Sequence, residues 1–100
     1  MRRAGSDSPG EIVARLLARR GIGRHALFLT QQEGKMLPGG VESLSGFVLT
    51  GGGEVYGFWL EWDDSAGEYT LDPWYLVEDP SRFAGDPEYR RARRRLGLVE

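Results

Sequence analysis

Apolar residues recur at helical spacing near the start of the chain. They are Ile12, Val13, Leu16 and Leu17, and together they form one face of an amphipathic helix. Ser8 is a suitable N-cap, Pro9 suits the first helical position, and Glu11 completes a capping box. Gly21 is a common helix stop. The pattern predicts a helix over residues 9–20, preceded by a flexible start at residues 1–7.

Strand patterns and turn signals alternate through the middle of the chain. The predicted strands are residues 25–32, 44–50, 54–62 and 68–71, with a short strand or helical turn at 74–77. Glycines and Pro38 predict a loop over residues 33–40, and Asp72-Pro73 predicts a break in the sheet. Further turn signals at residues 79–85 predict another loop before the C-terminal part.

A second helix is predicted at the C-terminal end, over residues 87–96. Asp86 is a suitable N-cap, Pro87 suits the first helical position, and Gly97 follows the last turn. The order of elements predicts an α+β fold, a four-stranded antiparallel β-meander flanked by an N-terminal and a C-terminal α-helix. With 100 residues, the chain is expected to form a single domain whose sheet lies within residues 25–77.

The two hairpin loops predict the register of the sheet. If Gly51–Gly53 is the first loop, Phe47 lies opposite Gly57 and Phe58 lies opposite Gly46, so each aromatic ring shields a glycine. The Asp64–Gly67 loop then places Trp62 opposite Tyr69 and Leu60 opposite Leu71. The predicted core face comprises Leu44, Val48, Tyr56, Phe58, Leu60, Trp62, Tyr69 and Leu71. The other face comprises Phe47, Leu49, Val55 and Trp59, with Ser45, Glu61, Thr70 and Asp72 around the tryptophan. A one-residue slip in the second hairpin would exchange the faces of Tyr69 and Leu71.

Charge divides the chain into three parts. Residues 36–81, called here the acidic middle, contain nine acidic residues, all three tryptophans and no lysine or arginine. Arginines are concentrated before and after this segment. Because the formal net charge is −2, a dedicated nucleic-acid binder is not favoured, whereas an acidic surface favours a basic protein partner.

Several kinds of chemistry find no support in the sequence. With no cysteine, the chain has no thiol nucleophile and no disulfide framework. His25, the single histidine, is interpreted as an ordinary strand residue, and the glycine triplet lacks the lysine of a phosphate-binding loop. No apolar run reaches the roughly 20 residues of a membrane helix. We therefore expect a cytoplasmic protein that is not an enzyme and has no cofactor, no metal site and no membrane partner.

Two sets of residues are candidates for binding. Trp59, Glu61 and Asp72 form a predicted protein-binding site, because an indole framed by carboxylates on the less apolar sheet face resembles an interface anchor. The alternative is that Trp59 is a core residue covered by the N-terminal helix. The second set, Arg90, Arg91, Arg94 and Arg95, is a possible nucleic-acid-binding site. The same helix has an apolar stripe, Tyr89, Ala92 and Leu96, by which it is expected to dock.

The sequence thus predicts a small intracellular, non-enzymatic binding or accessory protein whose contact surface is the acidic aromatic sheet. An immunity-like or antitoxin-like inhibitor fits this description. The alternative is a nucleic-acid-binding protein that uses the arginine-rich helices, and a small enzyme is third. A homo-oligomer is compatible with each. The arginine helix is also predicted to act as a clamp on the acidic sheet, within the chain or between two copies, in a manner weakened by salt.

Overall fold

The computed structural model describes residues 8–28, 34–37 and 40–98 and shows an α+β fold. Its helices are α1 (Pro9–Arg19) and α2 (Pro87–Arg95), with a 3₁₀-helix at Pro80–Phe83. The strands are β1 (His25–Phe28), β2 (Gly34–Leu37), β3 (Gly40–Thr50), β4 (Val55–Asp63) and β5 (Glu68–Leu76). The predicted flexible start, residues 1–7, and the end of the predicted first strand lie outside the described residues.

Both predicted helices are confirmed to within one residue at their C-terminal ends. In α1 the Ser8 hydroxyl accepts a hydrogen bond from the Glu11 N–H, and the Glu11 carboxylate accepts one from the Ser8 N–H. This reciprocal pair satisfies two backbone donors that the first turn leaves without helical partners. In α2 the Asp86 carboxylate accepts from the Glu88 N–H.

The sheet is an antiparallel meander in the order β1-β3-β4-β5. Strand β2 also pairs with β3, on the side away from β4, so that β1 and β2 follow one another along the same side of β3. The predicted registers are confirmed. Phe47 lies opposite Gly57 and Gly46 opposite Phe58 in one hairpin, and Trp62 lies opposite Tyr69 in the next.

The prediction of a loop over residues 33–40 is wrong for residues 34–37 and for Gly40, while residues 33, 38 and 39 lie outside the described residues. Residues 34–37 form β2, and Gly40 already belongs to β3. Gly34 has a φ of 148°, and a Cβ at this position would lie 2.7 Å from Leu44 Cα and closer still to the Ser43 carbonyl oxygen. The glycine therefore marks a close approach of two strands, which glycine permits as readily as it permits a turn.

The predicted break at Asp72-Pro73 is also wrong, because β5 continues through it to Leu76. Trp74 lies opposite Phe58 and Leu71 opposite Leu60, so two residues of β5 oppose the single residue Trp59. This is a β-bulge. An outer strand tolerates proline because its missing N–H is not needed on the side away from the sheet. The predicted loop at 79–85 likewise contains the 3₁₀-helix, whose N-cap Asp79 accepts from the Ser81 N–H.

The sheet separates two hydrophobic cores. On one face α1 packs against the predicted core face; this α1 core contains Ile12, Val13, Leu17, Val41, Leu44, Val48, Phe58, Leu60, Tyr69 and Leu71. On the other face lies the α2 core, which contains Ala26, Phe28, Phe47, Leu49, Val55, Val77, Phe83, Tyr89, Ala92 and Leu96. The second face is therefore covered where it meets α2, which packs on β1 and β3.

Candidate contact surface

The part of the second sheet face that extends beyond the α2 core is centred on Trp59. Ser45 of β3 lies opposite Trp59 on one side, and the Asp72-Pro73 bulge of β5 lies opposite it on the other. Glu61, two residues further along β4, pairs with Thr70. We call these residues, together with Tyr75, the Trp59 surface. The three residues of the predicted protein-binding site thus lie in one region of the sheet, and their binding role stays a prediction.

Trp59 differs from the other two tryptophans in its packing. Trp62 and Trp74 are partly buried and pack against the α1 core, whereas Trp59 belongs to neither core. Its indole N–H donates a hydrogen bond to Glu61 Oε1 at 3.1 Å. The indole is half-buried, while the Glu61 carboxylate is exposed. This arrangement holds the ring in a defined orientation on the sheet without burying it under a helix.

A comparable indole–carboxylate pair lies on the opposite face. There the Trp62 N–H donates to Asp64 Oδ1, and the Trp62 ring makes an edge contact with Tyr69 at 4.9 Å between ring centroids. Because Trp62 packs against the α1 core, its hydrogen bond to Asp64 orients a ring that has a structural role. The two pairs share the same chemistry and differ in whether the ring is part of a core.

The carboxylates of the Trp59 surface have no cationic partner within the described ranges. Glu61 and Asp72 are exposed and take part in no described ion pair. The ion pairs that do reach the acidic middle are Arg19–Glu68, at 3.7 Å, and Lys35–Glu42, at 3.9 Å. Within the described part of the chain, no ion pair therefore offsets the negative charge of Glu61 and Asp72.

Tyr75 belongs to the Trp59 surface but could not be assigned to it from the sequence. Its ring lies over Gly57, the residue opposite it on β4. The face of the sheet on which Tyr75 lies depends on the bulge at Asp72-Pro73. If the sheet is predicted to break there, the pairing of residues 74–77 with β4 cannot be predicted from the sequence. The signal available in the sequence was a proline in an otherwise strand-like run, which is typical of an outer strand with a bulge.

The arginine helix docks by its apolar stripe, as predicted: Tyr89, Ala92 and Leu96 are all buried. Some of its guanidinium groups bind residues close by in the chain, and for others no partner is described. Arg90 Nε donates to the Ala84 carbonyl at 3.0 Å, and Arg91 pairs with Glu88 of the same helix. Arg94 and Arg95 are exposed. Across residues 8–28, 34–37 and 40–98, no described ion pair joins these four arginines to the acidic middle. The clamp stays a prediction, within one chain as between copies.

The remaining titratable groups show no reactive arrangement in the described part of the chain. His25 is half-buried at the first position of β1, and its Nδ1 lies 2.8 Å from the Gly23 carbonyl oxygen. No group of three potential metal ligands is found there. The pKa of Asp63 is lowered by hydrogen bonds, first from the Ser65 hydroxyl and then from the backbone of the Asp64–Gly67 loop. This bonding is that of a turn.

The described residues include no helix long and apolar enough to cross a membrane. No family model, no curated protein and no solved structure matches the chain. Any assignment of function therefore depends on the geometry and charge described above.

Proposed function

We propose that this chain is a small, non-enzymatic, cytoplasmic binding protein whose Trp59 surface contacts a basic segment of another protein. The observation that carries the proposal is the position of Trp59, which lies outside both cores beside carboxylates that no described cation neutralises. A large aromatic ring held in place on a surface is the kind of residue that dominates binding energy in interfaces.

The chemistry of the surface favours a cation, and an arginine above all. A guanidinium group can lie on the face of an indole while it donates to adjacent carboxylates. The chain itself uses this contact, since the Arg20 guanidinium lies 5.0 Å from the Trp74 ring centroid. A partner that handles nucleic acid would present such arginines, so an immunity-like or antitoxin-like inhibitor is consistent with the proposal.

A second candidate function is nucleic-acid binding through α2. It is favoured by the outer side of the helix, where Arg90, Arg94 and Arg95 are exposed and form no described ion pair with a carboxylate. Phosphate groups bind such a row of cations through a salt-sensitive electrostatic attraction. The acidity of the whole chain opposes this function, because nucleic acid would be repelled by the neighbouring acidic middle.

The two functions can be separated by NMR titration of the protein with two probes, a hexa-arginine peptide and a short DNA duplex. The indole N–H signals of the three tryptophans are assigned with single Trp→Phe variants. We expect hexa-arginine to shift the Trp59 indole signal most, because this ring lies outside both cores and beside carboxylates that form no described ion pair. We expect the duplex to leave the spectrum unchanged at about 0.15 M salt, where long-range attraction is screened.

Glu61→Gln and Asp64→Asn provide a matched pair of variants. Each removes one negative charge from a carboxylate that accepts a hydrogen bond from an indole. We expect Glu61→Gln to weaken hexa-arginine binding by about two- to five-fold, the contribution of one exposed ion pair, and Asp64→Asn to have a smaller effect. Equal weakening by both variants would show non-specific attraction to acidic residues. Shifts of the α2 amides on addition of the duplex would favour the second candidate.

A further inference from the structure

Strand β5 is an outer strand of the described sheet, and its two halves are protected differently. In the first half, the side chain of Arg20, the C-cap of α1, donates to the Leu71 carbonyl at 3.3 Å, and the Asp72-Pro73 bulge follows. Outer strands are commonly guarded in this way by cations, proline and bulges. The Arg20 guanidinium also lies 5.0 Å from the Trp74 ring centroid. Tyr75 and Leu76 have no described cation beside them, and Pro73–Val77 contains no charged residue.

Alternate residues of this unguarded part direct their backbone groups away from the sheet. The Val77 N–H donates to the Val55 carbonyl of the neighbouring chain segment at 2.8 Å, so Val77 bonds toward the sheet. Successive residues of an antiparallel strand bond alternately to one side and the other. The N–H and C=O groups of Leu76 and Trp74 therefore lie on the outer side, where a further strand would pair.

The side chains at the same place are also unusual for their exposure. Tyr75 and Leu76 are the exposed large hydrophobic residues among those described, at 48% and 53% of their full accessibility. They lie on opposite faces, since Tyr75 is opposite Gly57 and Leu76 is opposite Tyr56. A strand added at the edge would cover both side chains at once. A helix or a ligand bound to one face would cover only one of them.

Charge at the two ends of the unguarded stretch indicates what kind of strand would fit. Asp72 precedes it, and Glu78 and Asp79 follow it, and all three are exposed. If β5 of a second copy paired here in antiparallel orientation, Asp72 of each chain would approach the acidic end of the other, and like charges would repel. A strand with lysine or arginine at both ends has the complementary pattern.

We propose that Trp74–Leu76 is an acceptor edge that binds an extended segment of another protein by strand addition, with an apolar centre and basic residues on both flanks. Main-chain hydrogen bonds would supply much of the affinity, and the side chains of alternate residues would contact Tyr75 on one face and Leu76 on the other. In its choice of a basic partner this inference rests on the proposed function, and it adds the mode of binding.

A displayed library of random twelve-residue peptides tests the proposal without knowledge of the partner. We expect selection against the wild-type protein to enrich peptides with alternating β-branched or aromatic residues between lysines or arginines. Leu76→Pro removes the outward N–H of an exposed residue and places a ring on the edge, so we expect it to lower peptide affinity about ten-fold, near the upper end of what one backbone hydrogen bond contributes. The control Leu76→Thr keeps the N–H and should bind within a few-fold of wild type.

A complementary measurement uses the unmodified protein, in case Leu76→Pro does not fold. Peptides N-methylated at alternate residues should lose binding when one set of residues is methylated and keep it when the other set is, because only one edge of an added strand faces β5. Equal effects of the two methylation patterns, wild-type affinity of a folded Leu76→Pro protein, or a failure to enrich any peptide would each overturn the acceptor edge.

Failure of the proposed function has a different signature. If the enriched peptides lack basic flanks but lose binding in Leu76→Pro, the edge is retained and the basic partner is wrong. If the enriched peptides are basic and lose binding in Glu61→Gln but not in Leu76→Pro, the Trp59 surface is the binding site and the acceptor edge is wrong.

Discussion

Gly57 and the ring of Tyr75 provide a quantitative test of the sheet. A Cβ at Gly57 would lie 2.7 Å from Tyr75 Cε2, and closer still to Cζ and the phenolic oxygen. Ordinary contacts of this kind are about 3.4–4 Å, so Gly57→Ala must displace the ring. Because Tyr75 is 48% exposed, the ring can rotate into solvent without any movement of the backbone.

The expected cost follows from the area that the ring would uncover. A fully buried tyrosine covers about 150–250 Å², so a half-buried ring covers roughly 100 Å², worth at most about 2.5 kcal/mol at about 25 cal/mol per Å². Alanine in a strand is favoured over glycine by about 0.5–1 kcal/mol, which offsets part of this loss. We expect Gly57→Ala to lower the free energy of unfolding by about 1–2 kcal/mol, or the Tm by several degrees.

The decisive measurement is the same substitution in a Tyr75→Ala background. With the ring removed, Gly57→Ala should become neutral or stabilising by up to about 1 kcal/mol, since only the strand preference of alanine remains. Urea denaturation followed by circular dichroism gives the four free energies of this cycle. Gly52→Ala is a suitable control, because a Cβ at Gly52 would have only Thr50 Oγ1, at 3.9 Å, nearby.

An unchanged cost in the Tyr75→Ala background would refute the reasoning. The clash would then lie elsewhere, and Phe47, the neighbour of Gly57 on β3, would be the residue that limits the space. Such a result would also remove Tyr75 from the Trp59 surface as described, because its position there depends on the contact of its ring with Gly57.

Two further predictions concern local hydrogen bonds. Ser8→Ala removes the hydroxyl of the capping box and should lower the free energy of unfolding by about 1 kcal/mol in thermal denaturation, with no loss at all arguing that the α1 cap does not form. Ser65→Ala removes the largest cause of the lowered pKa of Asp63 and should move that pKa up toward its ordinary value of 3.8, as measured by NMR titration of the carboxyl carbon. The lowered pKa contributes stability that is present at higher pH and is lost as the pH falls through the folded pKa. Ser65→Ala should therefore be less stable than wild type at neutral pH and equally stable in strong acid. An unchanged pKa of Asp63 would show that the backbone donors are sufficient to lower it.

The elements that the sequence predicted well are those with local causes. The capping box at Ser8 and Glu11 joins residues three apart, and the hairpin registers follow from short loops that leave few alternatives. Once the loop at Gly51–Gly53 is recognised, the pairing of Phe47 with Gly57 is determined by counting. The helices, the registers and the two sheet faces could therefore be predicted from patterns within a few residues.

The errors arose where one residue type serves two physical purposes. Gly34 looked like a turn residue, but it allows β2 to approach β3 closely. Pro73 looked like a strand breaker, but it lies in a bulge of an outer strand. Each choice depends on distant neighbours that no local pattern contains. The same holds for Trp59, whose exposure depends on which part of the sheet α2 covers.

The division of the interior into two cores has a consequence for how this chain can vary. The α1 core and the α2 core lie on opposite faces of a single sheet and share none of the residues described in either. A gain of volume at Phe28 is felt at Phe83 and Tyr89, whose rings lie 5.2 and 5.3 Å from its own, and not at Leu60. In homologues, a substitution in one core should therefore be compensated by substitutions in the same core, so that the two cores vary independently of each other.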